Sequence, residues 1–461
     1  MEIFFVCRCI FVGSLQKLIA VIFLKDFFII AIYLLRLLYP YRPFLDDYIQ
    51  YNVYSLHPEP IKNVFINAGT FTTRPAANFL DIVLYSSFGD ILYIPYAFLV
   101  LLYLAFVLLL RRVLSEISID TGRNFMIIAL LCPLNIEGTV WVSAASRITV
   151  GLFLGTVSAL LIENKMSPGR LILFWLTNLV SYLFYEQAAV FNFLLIFLIS
   201  YCRRYWSAFF AALINGIGVA AFYFAFRNYG VFSHRMSSLG VADAVYFLNR
   251  LTECLRSCFF TLMPSGMTFI AGIIVSLISA KSFYRGVFSS KKILFGIGVV
   301  LCSFVPVTLL GEYNIPFRCL TVSLMGAALI IDSINSPGLS RILSVILTAV
   351  FLSASFNEFY RLDSSCANDA RIVSAVSDIV SENQEKAIAI HGAKAYYEDK
   401  PSNHAEHIAA ITSSDWAITG ALRARLKNPY LPLIKLDEDS DVNIYMSDDG
   451  TEIAYCRLNS D

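Results

Sequence analysis

The chain has 461 residues, of which 57% are hydrophobic and 15% are charged, and its mean hydropathy is +0.67. Water-soluble domains carry about 25% charged residues, and a soluble protein of this length could not cover so much apolar surface. These values exclude a cytosolic enzyme, a disordered chain and a disulfide scaffold, and they indicate a polytopic membrane protein. With 35 basic and 34 acidic residues, the charge gives no basis for nucleic-acid binding.

Eleven apolar segments are interpreted as membrane spans, because a helix needs about 20 residues to cross about 30 Å of hydrocarbon. An interfacial segment, 1–16, precedes the first of them. The predicted spans are 18–39, 91–110, 125–145, 148–162, 171–185, 188–201, 208–226, 267–280, 293–310, 319–331 and 342–356.

Basic residues concentrate in alternate short loops between these spans. One set of loops holds Arg111, Arg112, Arg123, Lys165, Arg170, Arg203, Arg204, Lys281, Arg285, Lys291, Lys292 and Arg341. The other loops are longer in total and carry fewer basic residues. By the positive-inside rule the first set is cytoplasmic, which predicts a cytoplasmic N-terminus and an extracytoplasmic C-terminus.

The composition changes in the tail, 357–461. Helical periodicity covers 370–380 and 414–426, a buried strand is predicted at 386–391, and strands at 442–447 and 451–458 flank the hairpin signal DDG. The predicted fold is therefore mainly α. It comprises a polytopic helical bundle, 1–356, with outer loops 41–90 and 227–266, and a small extracytoplasmic α/β domain, 357–461.

Two pairs of side chains in the tail lead to separate predictions. Cys366 and Cys456 stand near its two ends, and an oxidising compartment would allow a disulfide between them. His404 and His407 have the i, i+3 spacing of a helical metal site, but without a third ligand they are interpreted as exposed polar surface.

Two adjacent aspartates, Asp46 and Asp47, follow the first span in the sequence RPFLDDY at 42–48. Adjacent residues on a helix point about 100° apart, so the two carboxylates would not face one partner. One could act chemically while the other orients it or holds a cation. The alternative is a solvated helix cap, because Asp is favoured in a first helical turn.

Further ionisable residues fall on the predicted outer side. Such side chains are costly at membrane depth, so they usually pair with each other or line a polar cavity. An Arg can clamp a phosphate or carboxylate, although an interfacial Arg can also simply snorkel. Local ion pairs, such as Glu312 with Arg318, are the alternative to a shared site. Together these residues predict one outward-facing cavity lined by Asp46, Asp47, Arg74, Glu137, Arg147, Glu186, Glu312 and Arg318.

A first span followed at once by an outer loop with paired aspartates resembles the GT-C class of integral-membrane glycosyltransferases. The motifs DDY at 46–48, RP at 74–75 and YEQAA at 185–189 look most like the bacterial and phage O-antigen glucosyltransferases that modify lipopolysaccharide. The likeness covers the chain by its layout of many spans and a smaller C-terminal segment, whereas the motifs are short. Here the two aspartates are followed by YIQY rather than by a basic residue, which leaves the donor sugar open.

The resemblance implies an enzyme of the bacterial inner membrane. It would move a sugar, with glucose expected, from a polyprenyl-phosphate carrier to a cell-surface glycan such as the lipopolysaccharide O-antigen, with inversion at the anomeric centre. Sugar transfer needs a base for the acceptor hydroxyl, and the resemblance implies Asp46, with Asp47 as an orienting or metal-facing neighbour. Fixed cations or a divalent metal, Mg²⁺ or Mn²⁺, can stabilise the leaving phosphate. The candidate substrate-binding residues are Arg74, Arg147, Glu186, Glu312 and Arg318.

Two other functions remain open from the sequence. A polysaccharide polymerase or ligase would use the same lipid carrier and would rely on arginines in large outer loops, such as those in 227–266. A glycolipid flippase or transporter is expected to show broken helices in two related halves, and no such internal symmetry is present in the sequence.

Overall fold

The computed structural model describes residues 26–51, 74–89, 91–162, 166–226, 241–263, 289–309, 315–334, 337–382, 387–391, 405–431, 434–437 and 453–457, with 59, 62 and 396. The predicted interfacial segment 1–16, the predicted span 267–280, and the residues Glu312 and His404 lie outside this part of the chain.

The described residues are mainly helical. Their α-helices are α1 (26–34), α2 (Asp46–Gln50), α3 (Pro75–Phe88), α4 (Tyr93–Glu116), α5 (Arg123–Leu131), α6 (Ile136–Thr139), α7 (Val142–Leu160), α8 (Pro168–Tyr182), α9 (Glu186–Arg203), α10 (Trp206–Phe226), α11 (Val241–Thr261), α12 (Ser290–Ser303), α13 (Val305–Leu309), α14 (Leu320–Asp332), α15 (Pro337–Glu382) and α16 (Asp415–Leu426). Short 3₁₀ turns lie at Leu35–Leu38, Pro133–Asn135, Phe317–Cys319, Glu406–Ile408 and Ile411–Ser413. The strands are β1 (Ala387–His391), β2 (Lys435–Asp437) and β3 (Ile453–Arg457).

Six helical segments in the described part of the chain are long and apolar enough to cross a membrane. They are Tyr93–Glu116, Val142–Leu160, Glu186–Arg203, Trp206–Tyr223, Ser290–Thr308 and Gly338–Ser381. The multi-pass helical character that the composition indicates is therefore present, while the count of eleven spans stays a prediction.

The predicted span 125–145, given with approximate ends, is not one continuous helix, and the helix that covers the predicted span 148–162 begins earlier, at Val142. Helix α5 stops at Leu131 because Cys132 is extended (ψ 123°) and Pro133 follows, which has no N–H for a helical hydrogen bond. The chain continues through a buried 3₁₀ turn and the single-turn helix α6, and α7 begins only after Trp141. As a result Glu137 lies in this buried, irregular stretch rather than within a span.

Two helices differ from the predicted layout of the tail and the outer loops. Helix α15 has 46 residues, about 69 Å at 1.5 Å per residue, and it runs without a break through the predicted boundary between 356 and 357. Helix α11 forms within the predicted outer loop 227–266, where no helix was predicted.

The described residues after α15, from β1 to β3, are here called the C-terminal segment. This segment packs directly on α2, the helix that carries the two aspartates. Strands β1, β2 and β3 form a parallel sheet in the order β2-β1-β3, and β1 and α16 confirm the predicted strand and helix at 386–391 and 414–426. The predicted hairpin partner of β3, 442–447, lies outside the described residues. Helix α16 contacts α2 at Gly420, where an added Cβ would lie 2.9 Å from the carbonyl of Tyr48.

Cys366 is a buried free thiol on α15. The predicted disulfide with Cys456 is therefore not formed. The two residues belong to different elements, since Cys366 is on the long helix and Cys456 is in β3.

Candidate functional site

Asp47 is fixed at the start of α2 by four hydrogen bonds. Its Oδ2 accepts from the Tyr41 hydroxyl at 2.5 Å and from the Phe44 N–H at 3.3 Å, and its Oδ1 accepts from the Tyr85 hydroxyl at 2.6 Å and from the Ser143 N–H at 3.1 Å. The carboxyl group is completely buried. Burial raises its pKa to about 7, although all four donors act to lower it. Asp47 therefore joins the start of α2 to α3 and α7.

The neighbouring carboxylate, Asp46, has the opposite environment. It is partly exposed, and among the described residues it makes neither a hydrogen bond nor an ion pair. Its charge acts on two nearby groups. Burial raises the pKa of Asp81, and Asp46 raises it further. Burial lowers the pKa of Arg318, but Tyr185 and then Asp46 raise it above its usual value. Asp46 is thus a carboxylate with no hydrogen-bond or ion-pair partner among the described residues, and its charge acts on the partly buried cation of Arg318.

The backbone before Asp46 is strained. Leu45 has φ 41° and ψ −110°, a conformation that costs of order 1–3 kcal/mol for a residue other than glycine. Its neighbour Phe44 is buried and stacks on Trp141 with ring centroids 5.1 Å apart. Packing around Phe44 and the hydrogen bonds to Asp47 hold Leu45 in this conformation, and they fix the direction of Asp46.

Arg147 is paired with Asp81. Arg147 is in the second turn of α7, and its Nη2 and Nε lie 3.0 and 3.2 Å from Oδ2 of Asp81, whose Oδ1 accepts from the Ser146 hydroxyl at 2.6 Å. Asp81 is not among the site residues predicted from the sequence. The signal was an acidic residue within the apolar run NFLDIVLY, 78–85, because a carboxylate on an apolar helix face usually has a partner.

Arg318 stands between the two aspartates and the C-terminal segment. Its guanidinium forms an ion pair with Glu406 and lies 5.6 Å from the centroid of the Trp141 ring. Its backbone N–H donates to Oε2 of Glu137 at 2.7 Å. The partner that the sequence suggested for Arg318 was Glu312, which lies outside the described residues.

Arg74 and Glu186 form a bidentate ion pair. Nε and Nη2 of Arg74 lie 2.9–3.0 Å from the Glu186 carboxylate oxygens, and the guanidinium stacks 4.4 Å from the Tyr185 ring centroid. Tyr185 also contacts Cys319 at 3.8 Å between Oη and Sγ, next to Arg318. Tyr185 thus lies between the Arg74–Glu186 pair and Cys319, the residue that follows Arg318.

A buried charge cluster fastens the C-terminal segment to the bundle. Nδ1 of His407 lies 3.0 Å from Oε1 of Glu137, and Nε2 lies 2.9 Å from Oε2 of Glu358, whose Oε1 pairs with Arg361 at 2.7 Å. Burial lowers the pKa of His407, but the hydrogen bonds to the two glutamates raise it to about 9, so the ring is an imidazolium that donates from both nitrogens. The expectation that His407 is exposed polar surface is wrong: it is buried because the tail folds back onto Glu137 and α15.

The geometry does not suit a metal ion on Asp47. Protein donors already occupy both lone pairs of each Asp47 oxygen. In the described part of the chain, no group of three or more His, Cys, Asp or Glu side chains could hold a metal. The metal-facing role considered for Asp47 therefore conflicts with its hydrogen bonds.

Several buried polar atoms beside these charges have no hydrogen-bond partner in the described structure. They include Nε1 of Trp141, Oγ of Ser143, the side-chain amide of Gln187 and Oγ1 of Thr321. Buried polar groups are normally satisfied, so these atoms mark positions where an ordered water could complete the hydrogen bonding. No family model, curated protein or solved structure matches the chain, and its function has to be inferred from these contacts.

Proposed function

We propose that the protein is a membrane glycosyltransferase that moves a sugar from a polyprenyl-phosphate carrier to a glycan or lipid-linked glycan, with Asp46 as the general base. The observation that carries the proposal is the contrast between the two aspartates. Asp47 has all of its hydrogen-bonding capacity occupied, whereas Asp46 is partly exposed, is without a described partner and lies near Arg318.

The reaction fits these positions. Asp46 takes the proton of the acceptor hydroxyl as that oxygen attacks the anomeric carbon. The bond between the anomeric carbon and the phosphate oxygen breaks, and the carrier leaves as polyprenyl phosphate. Arg318 stabilises the negative charge that develops on this phosphate, because a fixed, partly desolvated cation needs little reorganisation during the step. Attack from the face opposite the phosphate inverts the anomeric centre.

The remaining residues support substrate binding. A sugar carries several hydroxyl groups that both donate and accept hydrogen bonds. Trp141, Ser143 and Gln187 are almost fully buried beside these charges, and each has a polar atom with no hydrogen-bond partner in the described structure, so we assign them to the floor of the site. We assign the pairs Arg147–Asp81 and Arg74–Glu186 to the walls of the site, where each pair fixes the direction of its guanidinium.

The proposal includes a topology. The site faces the outside of a bacterial inner membrane, the chain has eleven spans with a cytoplasmic N-terminus, and 357–461 form an extracytoplasmic α/β domain that covers the site. The packing of α16 on α2 and the parallel sheet β2-β1-β3 support this arrangement. Among the described basic residues, Arg111, Arg112, Arg203 and Arg204 lie at the C-terminal end of α4, opposite Asp46, which supports the orientation.

The test is a transfer assay with purified protein, polyprenyl-phosphate glucose labelled in the sugar, and a lipid-linked glycan acceptor. Asn at position 46 keeps the size of the side chain but removes its basicity, so Asp46→Asn should lower the rate by about 10²–10⁴. The matched control is Asp378→Asn, an exposed carboxylate far along α15. Wild-type activity in Asp46→Asn would refute the proposal. A polymerised product would indicate the polymerase alternative, and carrier translocation without transfer would indicate the flippase.

A further inference from the structure

A second polar site lies at the other end of the bundle. A cavity of about 600 Å³ is lined by the end of α4 at Glu116, by the junction of α9 and α10, and by the start of α12 at Lys291. The residues from the junction are Tyr201, Cys202, Arg203, Arg204 and Trp206. The proposed transfer reaction uses none of them.

The length of helix α4 gives the distance between this cavity and the two aspartates. Near its start, Tyr96 stacks on Tyr41 at 5.0 Å between ring centroids, and Tyr41 donates to Asp47. Glu116 is twenty residues further along the same helix, which corresponds to about 30 Å at 1.5 Å per residue. The cavity and Asp47 are therefore about one hydrocarbon thickness apart.

The charges in the cavity are not balanced. Among the described residues that line the cavity, Glu116 is the only acidic one. It is paired with two arginines, with Nη2 of Arg203 at 2.7 Å and Nε of Arg112 at 3.2 Å. The side chains of Arg204 and Lys291 make no hydrogen bond or ion pair in the described structure. An uncompensated pair of cations in a concave site attracts an anion.

The rest of the lining is suited to the edge of a membrane. Arg204 ends α9 in the left-handed conformation, with φ 54°, and this turn places Arg203 and Arg204 beside Trp206. The Trp206 and Tyr201 rings meet edge to face at 6.4 Å, and both are well exposed. Trp and Tyr are enriched where headgroups meet acyl chains, and basic pockets between spanning helices bind anionic headgroups.

We propose that this cavity binds the phosphate of an anionic phospholipid headgroup, with Arg204 and Lys291 as its ligands and Trp206 beside the acyl boundary. A free phosphate has the same anionic chemistry, but it would not need the two exposed aromatic rings. This inference does not depend on the proposed transfer reaction.

The experiment is native mass spectrometry of the full-length protein in detergent, titrated separately with phosphatidylglycerol, phosphatidylcholine and soluble glycerol 3-phosphate. The double variant Arg204→Gln, Lys291→Gln should bind phosphatidylglycerol about 30-fold more weakly, because each basic residue near an anionic lipid contributes about a factor of five. The charge-matched control is Arg371→Gln, Arg425→Gln, at exposed positions in the C-terminal part. It should bind like the wild type.

A charge-preserving variant distinguishes loss of charge from misfolding. Arg204→Lys combined with Lys291→Arg keeps both positive charges and should retain the affinity for phosphatidylglycerol. Equal losses in the test and control variants, or equal affinity of the wild type for phosphatidylcholine, would overturn the proposal. Binding of glycerol 3-phosphate as tight as that of phosphatidylglycerol would overturn the lipid assignment and leave a site for free phosphate.

Discussion

His407 fastens the C-terminal segment to the bundle, and replacing it with glutamine should release that segment. The imidazolium lies between the carboxylates of Glu137 and Glu358, at 3.0 and 2.9 Å, and all three side chains are fully buried. A glutamine amide carries no charge, and its oxygen cannot donate to either carboxylate. Removing one partner of a buried ion pair costs about 3–5 kcal/mol. The undocked fraction should therefore rise at least about 100-fold.

The buried thiol of Cys366 reports this release. Its neighbours on α15 hold the C-terminal segment: the Ser365 hydroxyl donates to the carbonyl of Ile408 at 3.3 Å, and Asp369 accepts from the Ile411 N–H at 2.8 Å. Because the reagent reaches this thiol only after the C-terminal segment undocks, alkylation of Cys366 should become at least about 100-fold faster in His407→Gln. The rate is measured by mass spectrometry of the Cys366 peptide.

Two controls separate local release from unfolding. Cys132 is buried within the bundle, and its alkylation should not change in His407→Gln. The exposed substitution Arg425→Gln, in α16, should leave the Cys366 rate unchanged. If the Cys366 rate in His407→Gln stays within about threefold of the wild type, the buried ion cluster does not hold the segment.

The same cluster makes docking depend on pH. The pKa of His407 rises from 6.5 to about 9 in the docked state, so between these values the docked state binds a proton that the undocked state releases. The stabilisation, about 3 kcal/mol from this difference, is complete below pH 6.5 and is lost as the pH rises through about 9. The alkylation rate of Cys366 in His407→Gln should be divided by the rate in the wild type at each pH. Because both proteins carry the same thiol, this ratio does not depend on the ionisation of Cys366. It should be large at pH 6 and approach one near pH 10; a ratio that does not change with pH would contradict this titration.

Two further substitutions test the packing and the division of roles around α2. Gly420→Ala places a Cβ 2.9 Å from the carbonyl of Tyr48 and should cost about 1–3 kcal/mol through overpacking, seen as a lower thermal midpoint; Gly218→Ala, whose Cβ meets no atom within 4 Å, should not lower it. Asp47→Asn should also lower the midpoint, because an amide cannot accept from all four donors and a buried donor left unpaired costs about 1–3 kcal/mol. Asp46→Asn should leave the midpoint unchanged and remove only transfer, and equal midpoints for the two Asn variants would contradict the assigned roles.

The sequence by itself determined the class of protein and the local elements. An apolar excess too large for a soluble chain of this length indicates a polytopic membrane protein, and the predicted spans at 91–110 and 188–201 correspond to α4 and α9. Short-range rules also located β1 and α16, because a strand or helix signal depends on neighbouring residues. Hydropathy predicts one span over 125–145, and this prediction is wrong because hydropathy alone does not register the helix break at Pro133.

Only the tertiary structure decided what each ionisable residue does. Asp46 and Asp47 are adjacent and identical in type, yet four donors from three parts of the chain bury Asp47 and leave Asp46 partly exposed. His407 looked like a surface residue until Glu137, 270 positions earlier, was placed against it. These differences arise because desolvation and pairing depend on groups far apart in the sequence, and no local pattern records which of them the folded chain brings together.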